Sequence, residues 1–181
     1  DGATSEGEFW ESINAACLYR LPVLFLVEDN GYAISVPVEC QTPGGSISAL
    51  LTGFPHLSLY ECDGNDFMAS YSTVREAFDN VRASRLPALV HARCTRPYSH
   101  SLSDDERLYK TQAERDREAE ADPIIAFPRY LIAEGILESH AYQRICHEID
   151  VEIEEITDRV LKADPPDPAT VLHFLYSDEV D

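Results

Sequence analysis

The sequence predicts an α/β fold, a mostly parallel, doubly wound sheet with flanking helices, followed by a helical C-terminal part. Three observations carry that prediction. The segments 23–27 and 88–94 have strand length, and Val23-Leu24-Phe25-Leu26-Val27 is wholly apolar. A strand apolar on both faces is typical of a parallel sheet covered by helices. Amphipathic helical stretches alternate with these runs, the pattern of βαβ units. From Asp122 onward the texture turns helical, so residues 1–121 read as one part and 122–181 as a helical extension with an extended tail.

Taken in order, residues 6–20 place Phe9, Ile13, Ala16, Cys17 and Arg20 on one helical stripe, with acids in the first turn and Ser5 as the expected N-cap. Pro22 closes that helix, the first strand follows, and Asp29-Asn30-Gly31 turns at its carboxyl end. Residues 36–55, with Pro43-Gly44-Gly45, read as mostly loop. A short strand over 57–62, the turn Asp63-Gly64-Asn65-Asp66 and a helix over 67–85 come next. The strand over 88–94 follows Pro87. Glu114 to Asp122 reads as a solvated helix face, and helices are predicted over 123–134 and 139–163. Pro165-Pro166-Asp167-Pro168 breaks the last, and 171–176 reads as a terminal strand or extended tail. The chain opens on Asp1-Gly2 without a methionine, as a piece of a longer protein would.

Composition narrows the function classes. Hydrophobic residues at 44% and charged residues at 26% are globular values, which excludes general disorder. No apolar run is long enough to span a bilayer. The net charge of −19 argues against phosphate-backbone binding, so neither nucleic acid nor membrane is an expected partner. Residues 101–181 carry net −13 of that charge, as solvated helix faces. Five cysteines with no C-x-x-C spacing suit a reducing compartment and read as apolar fillers. A cytoplasmic setting of bacterial type is expected, with the mitochondrial matrix also compatible.

In open parallel sheets, ligands bind beyond the carboxyl ends of the strands. Asp1-Gly2-Ala3 and Glu28-Asp29-Asn30-Gly31-Tyr32 fall there. A carboxylate, an amide oxygen and a backbone carbonyl two residues on are hard ligands suited to Mg²⁺. Either loop alone reads equally as an ordinary turn. Their combination is more specific. Residues 1–7 (DGATSEG), Leu21-Pro22-Val23-Leu24-Phe25 and Asn30-Gly31-Tyr32-Ala33-Ile34-Ser35 resemble the thiamine-diphosphate motif of 2-oxo acid dehydrogenases. The likeness is to the α subunit, or the α part of a fused chain, of the decarboxylating component, the pyruvate and branched-chain type. It extends through the Asp63-Gly64-Asn65-Asp66 turn and the loop over 95–105, which is similar to the family's phosphorylation loop.

The resemblance implies a thiamine-diphosphate-binding fold. It implies Mg²⁺ held by Asp1, the side chain of Asn30 and the carbonyl of Tyr32, with Gly2 and Ala3 packed against the cofactor. His100 matches the active-site histidine, near the cofactor diphosphate and the incoming lipoyl group, and Arg96 helps order its loop. Two positions depart from the pattern: Asp29 stands where the first asparagine is usual, and Glu28 where some relatives place a diphosphate-binding arginine. Of the six histidines, only His100 sits in a Ser/Asp-rich loop after a buried strand; the rest read as surface or packing residues. Ser99, Ser101 and Ser103 read as loop-ordering or capping groups, Ser103-Asp104-Asp105-Glu106 being a helix-start signal.

The implied activity is decarboxylation of a 2-oxo acid and transfer of the acyl group to lipoyl on an acyltransferase. The implied partners are that acyltransferase and a β subunit or fused β domain carrying the glutamate that activates the cofactor, so the isolated chain is expected to be inactive. Ala33-Ile34-Ser35 and the 100–105 loop lean toward branched-chain or acetoin-type relatives. Two alternatives remain, a non-catalytic assembly module of the same fold and another thiamine-diphosphate enzyme such as the acetoin dehydrogenase or transketolase type. The His100 loop and the tail speak against transketolase.

Overall fold

A computed structural model of the chain describes residues 1–173 and 175. It contains two compact units, Asp1–Leu131 and Ile132–Asp181. In the first, a three-stranded parallel sheet has the order β1-β5-β4, formed by β1 (Leu24–Asp29), β4 (Ser58–Asp63) and β5 (Ala88–Arg93). Between β1 and β4 lies a small antiparallel hairpin, β2 (Tyr32–Ala33) with β3 (Val36–Pro37). Helices α1 (Gly7–Tyr19), the one-turn α2 (Ile47–Leu50) and α3 (Phe67–Ser84) complete the α/β unit, with α4 (Gln112–Glu120) and most of α5 (Pro123–Ala133) following. The predicted mixed, parallel-sheet class therefore stands.

Strand β5 is central, and Ala88 to Ala92 are all buried. Among the described residues β1 pairs with β5 alone, and one of its faces is open, with Leu26 51% exposed, which corrects the expectation of burial on both faces. The core joins Ile13 and Cys17 of α1, Ile47 and Leu51 around α2, Val27 and Leu89 of the sheet, flanked by Phe9, Trp10 and Phe54. The stripe expected on α1 thus holds at Ile13, Ala16 and Cys17. Arg20 leaves it, because it caps the helix in the left-handed conformation at φ 53°, with Leu21 N–H donating to the Ala16 carbonyl.

Three further details depart from expectation. Ser5 is not the N-cap: Gly2–Ser5 is already wound as a 3₁₀ turn, Glu6 takes the cap position, and Ser5 Oγ donates to Gln41 Oε1 at 3.2 Å. The helix start at 103–106 is a single 3₁₀ turn, Glu106–Leu108, capped by Asp105 through Arg107 N–H. Only Cys17 of the five cysteines is buried, so the filler reading holds there alone.

In the second unit, α6 (Ser139–Leu161) ends before the proline run, and Pro168–Leu172 forms a 3₁₀ helix. That helix takes the start of the stretch expected as a terminal strand or extended tail, since Pro168 at its first turn favours helical φ. Of the rest of that stretch, Phe174 and Tyr176 lie outside the described residues. No described helix is long and apolar enough to cross a membrane.

Candidate functional site

The carboxyl end of β1 and the first turn of the chain meet. Thr4 donates through its N–H (3.0 Å) and Oγ1 (2.6 Å) to the Asp1 carbonyl, which fixes Asp1 at the head of the 3₁₀ turn. Beyond β1, two short-range turns follow one another. Asp29 Oδ1 accepts from Gly31 N–H at 2.9 Å, and Asn30 Oδ1 accepts from Tyr32 N–H at 3.2 Å. Gly31 sits at φ 82°, where a side chain would strain the turn. Asn30 Nδ2 then lies 3.5 Å from Asp1 Oδ1. The other oxygen, Asp1 Oδ2, is buried with no hydrogen-bond partner among the described residues.

That donor set fits a hard divalent cation. Asp1 offers an unpartnered carboxylate oxygen, and Asn30 Oδ1 keeps its second lone pair. Mg²⁺ is commonly held by one or two carboxylates with phosphate and water completing its shell. Among the described residues no group of three or more His, Cys, Asp or Glu could hold a metal ion. Gly2 serves the hairpin: a Cβ there would lie 2.9 Å from Ala33 Cβ. Ala3 is exposed.

Arg96 lies over the hairpin. Its Nη2 donates to the Ile34 carbonyl at 2.8 Å and to Tyr109 Oη at 2.7 Å, and its guanidinium stands 5.7 Å from the Tyr32 ring. Ile34 is at φ 57°, an outlier for a β-branched residue, held where Arg96 latches its carbonyl. Two other guanidinium nitrogens, Nε and Nη1, are buried without partners among the described residues. Buried Lys110 lies beneath, donating to the Arg96 carbonyl at 3.0 Å and to Glu118, with its Nζ 5.1 Å from the Tyr32 ring. Tyr32 Oη donates to Glu114, and burial together with that carboxylate pushes its phenol up to about 12.

His100 connects to this network through its backbone. Tyr109 Oη donates to Asp104 Oδ2, which also accepts from His100 N–H at 2.8 Å. Those two bonds hold the Asp104 carboxyl below the usual range. The His100 side chain is exposed. Ser99 Oγ accepts from Glu106 N–H, while Ser101 and Ser103 share a hydroxyl contact at 3.1 Å, so the serines order the loop as expected. Asp1 with Asn30, and Arg96 with Tyr32 and the His100 loop, are thus brought together as two linked groups.

Sequence reasoning missed a buried polar chain across the sheet. His91, fully buried in β5, faces Asp29 Oδ2 at 2.8 Å through Nε2 and Ser48 Oγ at 2.9 Å through Nδ1. Ser48 donates to Glu61, whose other oxygen accepts from Arg93 at 3.0 Å. The His91 hydrogen bond holds the Asp29 carboxyl below its ordinary value against the opposing cost of burial. The available signal was a histidine inside an apolar strand, where a buried polar group needs partners. A cleft of about 510 Å³ at the end of β4 was also not foreseen; it is lined by Asp63, Asn65, Phe67, Phe127 and Tyr130 among others.

Comparison with known proteins decides the family. The family model described as dehydrogenase E1 component matches residues 1–169. The chain belongs to the dehydrogenase E1 component family. Among curated E1 relatives, it is 32% identical over 179 residues to the 2-oxoisovalerate dehydrogenase subunit alpha of Bacillus subtilis, covering 98% of this chain and 53% of that protein. It is 34% identical over 180 residues to a 3-methyl-2-oxobutanoate dehydrogenase subunit alpha of Mycobacterium tuberculosis (98% and 48%). It is 27% identical over 180 residues to the pyruvate dehydrogenase E1 component subunit alpha of Mycoplasma genitalium (98% and 49%). The chain spans about half the length of these E1 relatives. The resemblance to the α subunit of thiamine-diphosphate-dependent 2-oxo acid dehydrogenases is borne out.

Proposed function

We propose that this chain is the cation-binding portion of a decarboxylating component that acts on a 2-oxo acid and delivers the acyl group to lipoyl on an acyltransferase. It does so with a β subunit or fused β domain, in the cytoplasm. Residues 1–121 belong to the thiamine-diphosphate domain and residues 122–181 to its helical extension. The observation that carries the reading is the buried, unpartnered Asp1 Oδ2 beside the Asn30 amide at the end of β1. The family match and the branched-chain names of two relatives support it.

Thiamine diphosphate, when bound, supplies the electron sink that a 2-oxo acid needs to lose carbon dioxide. The chain supplies binding and orientation. Asp1, Asn30 Oδ1 and the Tyr32 carbonyl would hold Mg²⁺, which would supply positive charge beside the diphosphate. Gly2 lets the hairpin that carries Tyr32 pack close to the Asp1 turn. Arg96 locks the hairpin turn and, through Tyr109 and Asp104, sets the backbone of the loop that presents His100 to substrate and lipoyl.

The test is Asp1→Ala in the full-length protein assembled with its β partner. Thiamine-diphosphate-dependent decarboxylation is expected to disappear, with loss of Mg²⁺ binding measured by titration of the metal-stripped complex. Wild-type-like cofactor and metal affinity in that variant would sink the assignment.

A further inference from the structure

We propose that His91 is a positioning residue for the cation loop, gripping Asp29 from within the sheet and so fixing the turn that presents Asn30. The inference rests on the assignment of Asp1, Asn30 and Tyr32 to a divalent cation.

Asp29 has two carboxylate oxygens, and each is committed to a different structure. Oδ2 faces His91 Nε2 at 2.8 Å inside the sheet, while Oδ1 accepts from Gly31 N–H at 2.9 Å in the loop. One rigid side chain therefore bridges the core and the turn. A carboxylate accepts only, so the His91–Asp29 bond requires the proton on Nε2. The ring cannot swing away, because it is fully buried and its Nδ1 is engaged by Ser48 Oγ at 2.9 Å. Ser48 is in turn held by Glu61, itself bound by Arg93. Asn30 follows Asp29 directly, and its amide lies 3.5 Å from Asp1 Oδ1. The placement of the amide thus depends on a bond made inside the sheet.

Removing the imidazole strands a carboxylate that is only 7% exposed. A buried charge without its partner is strongly disfavoured, and the cheapest relief is rotation of Asp29 toward solvent, which releases Gly31 N–H and loosens the turn. Mg²⁺ tolerates such loosening poorly, since it demands near-ideal octahedral geometry, whereas Ca²⁺ accepts irregular, flexible coordination. Outer partners of metal ligands are typically worth 10–100-fold in affinity. The signature of positioning is therefore a loss of Mg²⁺ affinity that exceeds the loss for Ca²⁺. A general weakening of the fold would lower both alike.

The experiment titrates metal-stripped, full-length protein in complex with its β partner with Mg²⁺ or Ca²⁺, at saturating thiamine diphosphate, following heat. His91→Leu is expected to weaken Mg²⁺ binding by about 10-fold, the lower end for an outer partner because it acts on Asn30 only through Asp29 and the turn, with a smaller loss for Ca²⁺. His91→Gln, whose Nε2 can still donate to Asp29, is expected to recover most of the Mg²⁺ affinity. Asp29→Ala cuts the same tie from the loop side and carries the test if His91→Leu does not fold; the same Mg²⁺-selective loss is expected. Asp1→Ala should lose both ions. If Asp1→Ala retains them, the cation site itself is wrong and this inference falls with it. If Asp1→Ala loses them while His91→Leu or Asp29→Ala binds Mg²⁺ as wild type, or loses both ions equally, only the positioning role is overturned.

Discussion

At the residue scale, Tyr109, whose ring lies 5.6 Å from that of Tyr32 in the hairpin, can be tested by titration. Tyr109 is pushed up to about 12 by desolvation first and by its bond to Asp104 second. An unfolded tyrosine titrates near 10, so the folded state binds this proton more tightly. The resulting stability is fully present below about pH 10 and is lost as pH rises through about 12. In full-length protein, the ultraviolet difference titration between wild type and Tyr109→Phe should show one missing phenolate appearing near 12; appearance near 10 would refute the buried arrangement. His100→Ala is expected to fold normally and lose about 10²–10⁴-fold in acylation of a lipoyl substrate; turnover within about twofold would leave His100 an ordinary loop residue. Of these side chains, Asp1, Asn30, Arg96 and His100 were legible as a motif. Tyr109, Lys110 and Ser48 were not, because they are assembled by tertiary packing that no local pattern announces.

At the scale of elements, the β4–α3 turn shows how much two residues determine. Gly64 N–H donates to the Arg93 carbonyl at 2.6 Å, and a Cβ at Gly64 would lie 2.9 Å from that same oxygen. Gly64→Ala must therefore push β4 from β5 at their carboxyl ends, a clash of about 1–3 kcal/mol. Asp66 caps α3, accepting from Met68 N–H at 2.8 Å and Ala69 N–H at 3.1 Å. Asp66→Ala should cost about 1 kcal/mol, less than Gly64→Ala, and urea denaturation of the two variants checks that ranking. Helix α3 was readable almost to the residue, from the turn at 63–66 before it and Pro87 after it. The stretch over 36–55 was readable only as loop. Its single-turn α2 is held by Ser46 as cap and by burial of Ile47 and Ser48, tertiary effects without a sequence period.

At the scale of the whole molecule, charge and exposure set how the 181-residue chain behaves by itself. A net charge of −19 offers no attraction to an anionic cofactor, and the proposed reading leaves part of the cofactor site to a β subunit or fused β domain. The chain alone is expected to bind thiamine diphosphate with Mg²⁺ weakly or not at all, as measured by calorimetry; a dissociation constant at or below the micromolar range would overturn this division of labour. Exposed apolar side chains such as Leu26, Phe67, Met68 and Tyr71 favour self-association, which sedimentation would detect. Fold class was legible here because strand-length apolar runs and helical periodicity are whole-chain signals. Strand order was not, since β1 pairs with β5, the last strand of the sheet in sequence, and not with β4, the next one.

That order has a consequence for amide exchange. Each residue of β5 is paired on both sides, with β1 and with β4. Strands β1 and β4 are each bonded along one edge only among the described residues. Deuterium should therefore enter 88–93 last and only through unfolding of the unit, while the outward amides of 24–29 and 58–63 exchange by local opening. Any further polypeptide that completes the sheet would announce itself as slowed exchange in one of those outer segments, with 88–93 unchanged.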